Sequence, residues 1–306
     1  MLIIATLALA AVVAKLHISL IDLPNVDRQV ELHNQIVSHQ APAPYQFRVL
    51  QPVLVEGVLR VTGLGHSRHG FIVAYALIRM ACVLGMMLFF FRFLRRYFTQ
   101  VASLLGVAIV VALIPFTYRY YYYQPSSIAE LALFAAALYY IAARKPVQTI
   151  LIVLVGTLNR ETMVFVPFLW FLWWMPKLGR GDFAIVIACV SVWAGIFVGL
   201  RHFWPAKSNL LDVMTCIDLN LHNLQGALDV ALMTVPWAAW IFFSRKRVPG
   251  PLVRIAALSL VWLPLHFATA LWWEVRFYLS SLLTLVPGLL ATLLPDDMED
   301  SAKRVC

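Results

Sequence analysis

VQTILIVLVGTLNRETMVFVPFLWFLWW, from Val147 to Trp174, is apolar along almost its whole length and carries charge only at its middle, at Arg160 and Glu161 between Asn159 and Thr162. As one straight helix it would be roughly 42 Å long, whereas a bilayer core is about 30 Å thick and takes roughly 20 residues per pass. The alternative is a hairpin whose two arms enter and leave on the same side and turn near Asn159. Flanking charge decides between them. With a hairpin, every basic cluster falls on the cytoplasmic side: Arg92, Arg95 and Arg96; Arg144 and Lys145; Lys177 and Arg180; Arg245, Lys246 and Arg247; Lys303 and Arg304. A single crossing would put the clusters at Lys177 and Arg245 on the other side. The sequence therefore predicts a helical hairpin at Val147-Trp174.

Working outward, further apolar spans are read at Leu2 to Leu20, Phe71 to Phe91, Val101 to Phe116, Ile128 to Ala143, Phe183 to Leu200, Ala227 to Phe243, Ile255 to Trp273 and Phe277 to Leu294. The chain is 62% hydrophobic and 13% charged with a mean hydropathy of +0.81, more apolar surface than a soluble domain can bury. The fold class expected is all-α: a polytopic transmembrane helical bundle with about nine hydrophobic passes. Residues 1-306 read as one transmembrane domain, with no linker or repeat to mark a soluble one. Leu2 to Ala14 lacks the basic start of a secretory signal and reads as a retained span. The net charge of +9 comes from short clusters between spans, so it sets topology and does not point to nucleic acid. The four cysteines lack metal-ligand spacing.

Outside lie Ile21 to Gly70, Thr117 to Ser127, Arg201 to Gly226 and the turn Trp273 to Arg276. The outer loop 21-70 is expected to carry two amphipathic helices. The first starts at Asn25 as N-cap and places Asp27, Glu31 and Asn34 on one face and Val26, Val30 and Val37 on another. An acid in the first turn also suits the helix dipole without any chemistry. The second follows Pro52, with Val53, Leu54, Val58 and Val61 as an apolar stripe that should lie in the membrane interface. Tyr118 and Tyr120 to Tyr123 read as an aromatic belt.

Lys15, Arg79, Glu130, Arg160 and Glu161 fall inside apolar spans, where an unpaired charge is costly. Counted at 1.5 Å per residue, all five lie in the outer half, roughly 6 to 12 Å below the surface, and His266 is at a similar depth. A shared level suggests a polar cavity that opens outward. The structural alternative is a set of ion pairs such as Arg79 with Glu130, and for His266 a packed, hydrogen-bonded imidazole.

Three stretches taken together, YQFRVLQP from Tyr45 to Pro52, NRET from Asn159 to Thr162 and EVRFY from Glu274 to Tyr278, resemble elements of bacterial integral-membrane glycosyltransferases of the GT-C type. Their order and membrane side agree over nearly the whole chain. The resemblance implies transfer of a sugar from a polyprenyl-phosphate carrier to a saccharide or lipid-linked acceptor, at the periplasmic face of a bacterial inner membrane. By position it makes Asp27 the candidate catalytic base with Asp22 as the alternative. Arg48, Arg160 and Arg276 become candidates for the lipid phosphate, with Glu161 orienting Arg160 and Glu274 completing the third element. The first loop contains no Asp-x-Asp motif, so no metal ligand or cofactor is assigned, although a divalent metal would be compatible with the chemistry. A non-catalytic subunit of a polysaccharide assembly system and a lipid-linked saccharide transporter are the competing readings. The first predicts that the outer-loop acids are dispensable. The second calls for polar residues through both membrane halves, and the inner half here is almost wholly apolar.

Overall fold

The computed structural model of the protein describes residues 2–118, 126–175, 177–209, 212–271, 274 and 278–298. Among the described residues the chain is all-helical, with only two isolated β-bridges, Ala43 to Asn209 and Phe98 to Met298. The helices are α1 (Leu2–His17), α2 (Val26–Val37), α3 (Leu50–Thr62), α4 (Arg68–Leu94), α5 (Gln100–Leu113), α6 (Ser126–Ala142) and α7 (Pro146–Asn159). They continue as α8 (Phe165–Trp174), α9 (Arg180–Phe203), α10 (Val213–Leu221), α11 (Leu224–Phe243), α12 (Gly250–Thr269) and α13 (Leu279–Leu293). Five stretches are long and apolar enough to cross a membrane: Arg68–Leu94, Gln100–Tyr118, Arg180–Phe203, Leu224–Phe243 and Gly250–Thr269. This is the make-up of a membrane protein. Shorter apolar helices, α6, the two arms of the Val147-Trp174 segment and α13, pack among them.

The Val147-Trp174 segment turns back on itself. α7 opens with Pro146, where a missing N–H has no helical partner to lose. Arg160 is fully extended at φ −166° and ψ 140°, a 3-10 turn covers Glu161–Val164, and α8 returns. At the open end the Arg144 guanidinium lies 4.5 Å from the Trp174 ring centroid and 3.0 Å from Asp182 at the start of α9. At the turn, Asn159 Nδ2 donates to the Ser126 carbonyl at the head of α6, 2.9 Å away. The turn can fold this tightly because residue 156 is glycine: a Cβ there would stand 2.6 Å from the Met163 side chain. The first arm has 14 residues, roughly 21 Å of helix, so the turn stops within the bundle, where Asn159 and Arg160 are buried.

The basic clusters gather at the end where the hairpin opens. Arg96 donates to the Ala142 carbonyl at 3.2 Å, Arg254 donates to the carbonyls of Leu172 and Trp173, and Thr99 meets Asp297. The expected outer segments gather at the other end. Ala43 N–H donates to the Ser208 carbonyl at 2.8 Å, His39 stacks on Trp204, and Arg201 lies over Phe47. Lys303 and Arg304, with Tyr120 to Tyr123, fall outside the described residues; Tyr118 is buried against His17.

Both loop helices form at the expected places, but α2 turns differently from expectation. α2 lies at 91° to the preceding helix. Asn25 does not cap it with its side chain, which instead donates back to the Ile21 carbonyl at 2.7 Å. The buried face of α2 is Gln29, His33 and Ile36, and that of α3 is Gln51, Val55 and Leu59. His33 supplies the reason: its Nδ1 meets Tyr75 Oη at 3.0 Å and its Nε2 meets Glu56 at 2.9 Å, which ties α2 to α4 and α3. Val37, Val53, Leu54 and Val61 are left uncovered, the surface an interfacial helix turns to lipid. α3 ends at Gly63, whose φ of +68° suits glycine.

If the clustered bases mark the cytoplasmic side, a cysteine placed at Ser208 should react with a membrane-impermeant thiol reagent in intact cells. One placed at Lys246 should react only after permeabilisation. The reverse pattern would invert the bundle. The native Cys216 makes a poor reporter because it is buried.

Candidate functional site

A cavity of about 560 Å³ lies at the end of the bundle away from the basic clusters. Three distant parts of the chain supply much of its polar wall: Tyr45 and Arg48 from the first loop, Arg160, Glu161 and Thr162 from the hairpin turn, and Glu274. Each lies in one of the three stretches singled out in the sequence. Trp193 and Phe197 of α9 and Phe165 of α8 form much of the apolar wall, and His266 of α12 also lines the cavity.

Geometry at the turn is set by charge. Arg160 is 1% exposed and its Nη1 donates to Glu130 of α6, which also accepts from the Thr162 hydroxyl. Arg48 Nη2 lies 3.2 Å from Glu161, and the Glu161 carbonyl accepts from Trp193 Nε1 at 2.8 Å. The backbone explains the alternation: with Arg160 extended, its side chain and that of Glu161 leave on different sides of the turn. The expected pairing of Glu161 with Arg160 is therefore corrected: the two are not the contact pair, although the Arg160 charge still acts on Glu161. Glu161 holds Arg48, and Glu130 holds Arg160. The pairing of Arg79 with Glu130 is corrected likewise, since Arg79 makes a two-pronged bridge to Asp22 at 2.7 and 3.1 Å.

Asp22 and Asp27 are not part of the cavity. Asp22 has no exposed surface and is held by Arg79 and by His17 Nδ1 at 3.2 Å. Asp27 is exposed, pairs with Arg68 at 2.7 Å and lines a shallow polar depression with Glu31 and Asn34 on the far face of α2. Helical geometry explains the miss, because one residue is a step of about 100° around the axis. The side chain that α2 presents to the cavity is the next one, Arg28. Lys15 is exposed and belongs to neither group. Arg276 lies outside the described residues.

Residues that the sequence reading did not single out complete the site. Arg28 is exposed at the cavity wall, and Arg201 is held over Phe197 and Phe47 at 3.4 and 4.2 Å from their ring centroids. Neither is in ion-pair contact with a carboxylate among the described residues, although the Glu161 charge acts on Arg201. Asp212 also lines the cavity, at the N-cap of α10, where it accepts the Thr215 N–H at 2.7 Å. Hydrogen bonds from the Thr215 backbone and side chain hold its carboxyl below the usual carboxylate range. Only its position just before an apolar helical run could have signalled it, and that signal reads equally as a cap.

His266 is not poised as a base. Its Nε2 accepts from Trp262 Nε1 at 3.2 Å, so Nδ1 carries the proton and faces the Trp262 carbonyl at 3.1 Å. Among the described residues no group of three His, Cys, Asp or Glu side chains is arranged to hold a metal ion. Chemically, the cavity offers guanidinium groups for an anion, carboxylates for hydroxyl groups and indole and phenyl faces for a sugar ring or hydrocarbon. No family profile, curated protein or solved structure matches the chain.

Proposed function

We propose that the protein is a membrane glycosyltransferase of the GT-C type, moving a sugar from a polyprenyl-phosphate carrier to a saccharide or lipid-linked acceptor at the non-cytoplasmic face of a bacterial inner membrane. The observation that carries this reading is the meeting of Arg48, Arg160, Glu161 and Glu274, from stretches more than a hundred residues apart, around one cavity. Departure of the carrier phosphate builds negative charge. Arginines fixed in a partly dry wall stabilise that charge more in the transition state than before reaction. Arg48 and Arg160 are fixed in this sense, each oriented by a carboxylate behind it. Arg28 at the cavity wall, and Arg201 near Glu161, add further positive charge. The long apolar surface of α9, with Phe183, Ile187, Val190 and Val198 exposed, offers the carrier chain a hydrocarbon-facing path to Trp193 and Phe197.

One observation favours the assembly-subunit reading instead. Arg48, Arg79 and Arg160 all have internal carboxylate partners, which a purely structural network would also show.

Binding of farnesyl phosphate to the purified protein, read from tryptophan fluorescence because Trp193 lines the cavity, separates the two readings. Arg48→Gln removes one charge-assisted contact and should weaken binding roughly tenfold. Arg48→Lys should lose less, and Asp27→Asn should bind as the wild type does. Equal affinity in wild type and Arg48→Gln, or no binding in either, would leave the assembly-subunit reading in place.

A further inference from the structure

Sugar transfer needs a group that takes a proton from the acceptor hydroxyl, and the acids near the membrane can be sorted by what already holds them. Asp22 is sealed between Arg79 and His17. Asp27 faces a different depression and is paired with Arg68. Glu130 lies behind the cavity and is occupied by Arg160 and Thr162. Glu161 is bound to Arg48. Glu274 also lines the cavity but is half-buried, so that of the cavity-lining carboxylates it is Asp212 that combines an exposed side chain with no cation in ion-pair contact among the described residues.

The backbone that carries Asp212 is anchored. Buried Asn220, two turns along α10, donates to the carbonyls of Phe267 and Ala270 at 2.8 and 2.7 Å and so fixes α10 on the end of α12. Cys216, one turn after Asp212 and on the same side of the helix, is buried in the cavity wall. Asp212 is thus held at the cavity wall by a docked helix. Arg28, Arg48 and Arg160 line the same cavity.

From this geometry we propose, on the transferase reading above, that Asp212 is the catalytic base of the transfer. The acceptor oxygen forms a bond to the anomeric carbon of the sugar. The bond from that carbon to the carrier phosphate breaks, and its electron pair leaves with the phosphate, which the arginines receive. The hydroxyl proton passes to the Asp212 carboxylate, and no oxidant or further reactant is needed.

The N-cap position makes the test clean, because asparagine and serine cap as well as aspartate does but neither is a base in this range. The assay uses the full chain in detergent, farnesyl-phosphate hexosides and pentosides as donors, and octyl glycosides as acceptors. Asp212→Asn should lower kcat roughly a hundredfold while leaving the donor KM and farnesyl phosphate affinity near wild-type values. Asp212→Ser should behave the same way, and Asp212→Glu should recover part of the rate. The acidic limb of the wild-type rate profile should be missing from the residual activity of Asp212→Asn. Wild-type turnover in both Asp212→Asn and Asp212→Ser would overturn the assignment while the transferase reading stands. A wild-type protein that transfers none of these sugars would overturn that reading, and this role with it. A fall in farnesyl phosphate affinity equal to the fall in rate would show a binding role and also overturn the assignment.

Discussion

Asp22→Ala should lower the stability of the folded protein by roughly 3–5 kcal/mol, because it leaves a buried arginine without its counter-charge. Both prongs of the Arg79 guanidinium bond to Asp22, and the two side chains are 4% and 0% exposed. Nothing else among the described residues can take over the bridge. The bridge joins the π-helical end of the first span to the middle of α4, so its loss should release the start of the outer loop as well. Thermal unfolding in detergent should show a large drop for Asp22→Ala. A double replacement, Asp22→Leu with Arg79→Met, should restore most of it, since an apolar pair of similar size needs no counter-charge. A small effect of the single replacement would mean that water reaches Arg79.

The second large effect is expected at Glu130. Glu130→Gln removes the carboxylate in direct contact with Arg160, which is 1% exposed, and roughly 3–5 kcal/mol should again be lost. Double-mutant cycles distinguish the observed pairing from the one expected from sequence neighbours. The coupling between Arg160 and Glu130 should be about 2–3 kcal/mol, and that between Arg160 and Glu161 well under half of it. Glu161 should instead couple to Arg48. If Arg160 and Glu161 proved the strongly coupled pair, the turn would have to be rebuilt with Arg160 facing its neighbour. A functional consequence follows from the same geometry: Arg160 oriented by glutamine should hold a phosphate less well, so Glu130→Gln should weaken farnesyl phosphate binding although Glu130 does not line the cavity.

Much of the architecture could be read without coordinates. Of about nine expected passes, however, five are long and apolar enough among the described residues to cross a membrane. The apolar helices, the break at Asn159 to Thr162 and the gathering of basic clusters at one end follow from two local quantities, hydropathy and charge. These act on each segment independently of what it later packs against. The level read for Lys15, Arg79, Glu130, Arg160, Glu161 and His266 pointed to a cavity for the same reason, since depth along a helix is a matter of counting residues. Arg160, Glu161 and His266 line it, and Lys15, Arg79 and Glu130 do not.

Rotation about a helix axis and the choice of partner are different in kind. α2 was legible as an amphipathic helix from Val26 to Val37, but not that His33 would find Tyr75 and Glu56 and so turn Asp27 away and Arg28 inward. The valine stripes were read as faces of the two loop helices, whereas packing buried Gln29, His33 and Ile36 in one and Val55 and Leu59 in the other.

What the sequence determined by itself was therefore composition-driven: an all-helical membrane protein, its hairpin, and the end at which its polar chemistry collects. Tertiary structure alone decided the pairs Asp22 with Arg79, Glu130 with Arg160 and Glu161 with Arg48, and placed Asp212 in the cavity wall. The physical reason is range. Burial of apolar surface is a sum over single residues, but an ion pair depends on where two side chains end within about 4 Å of each other, and no local pattern encodes that distance.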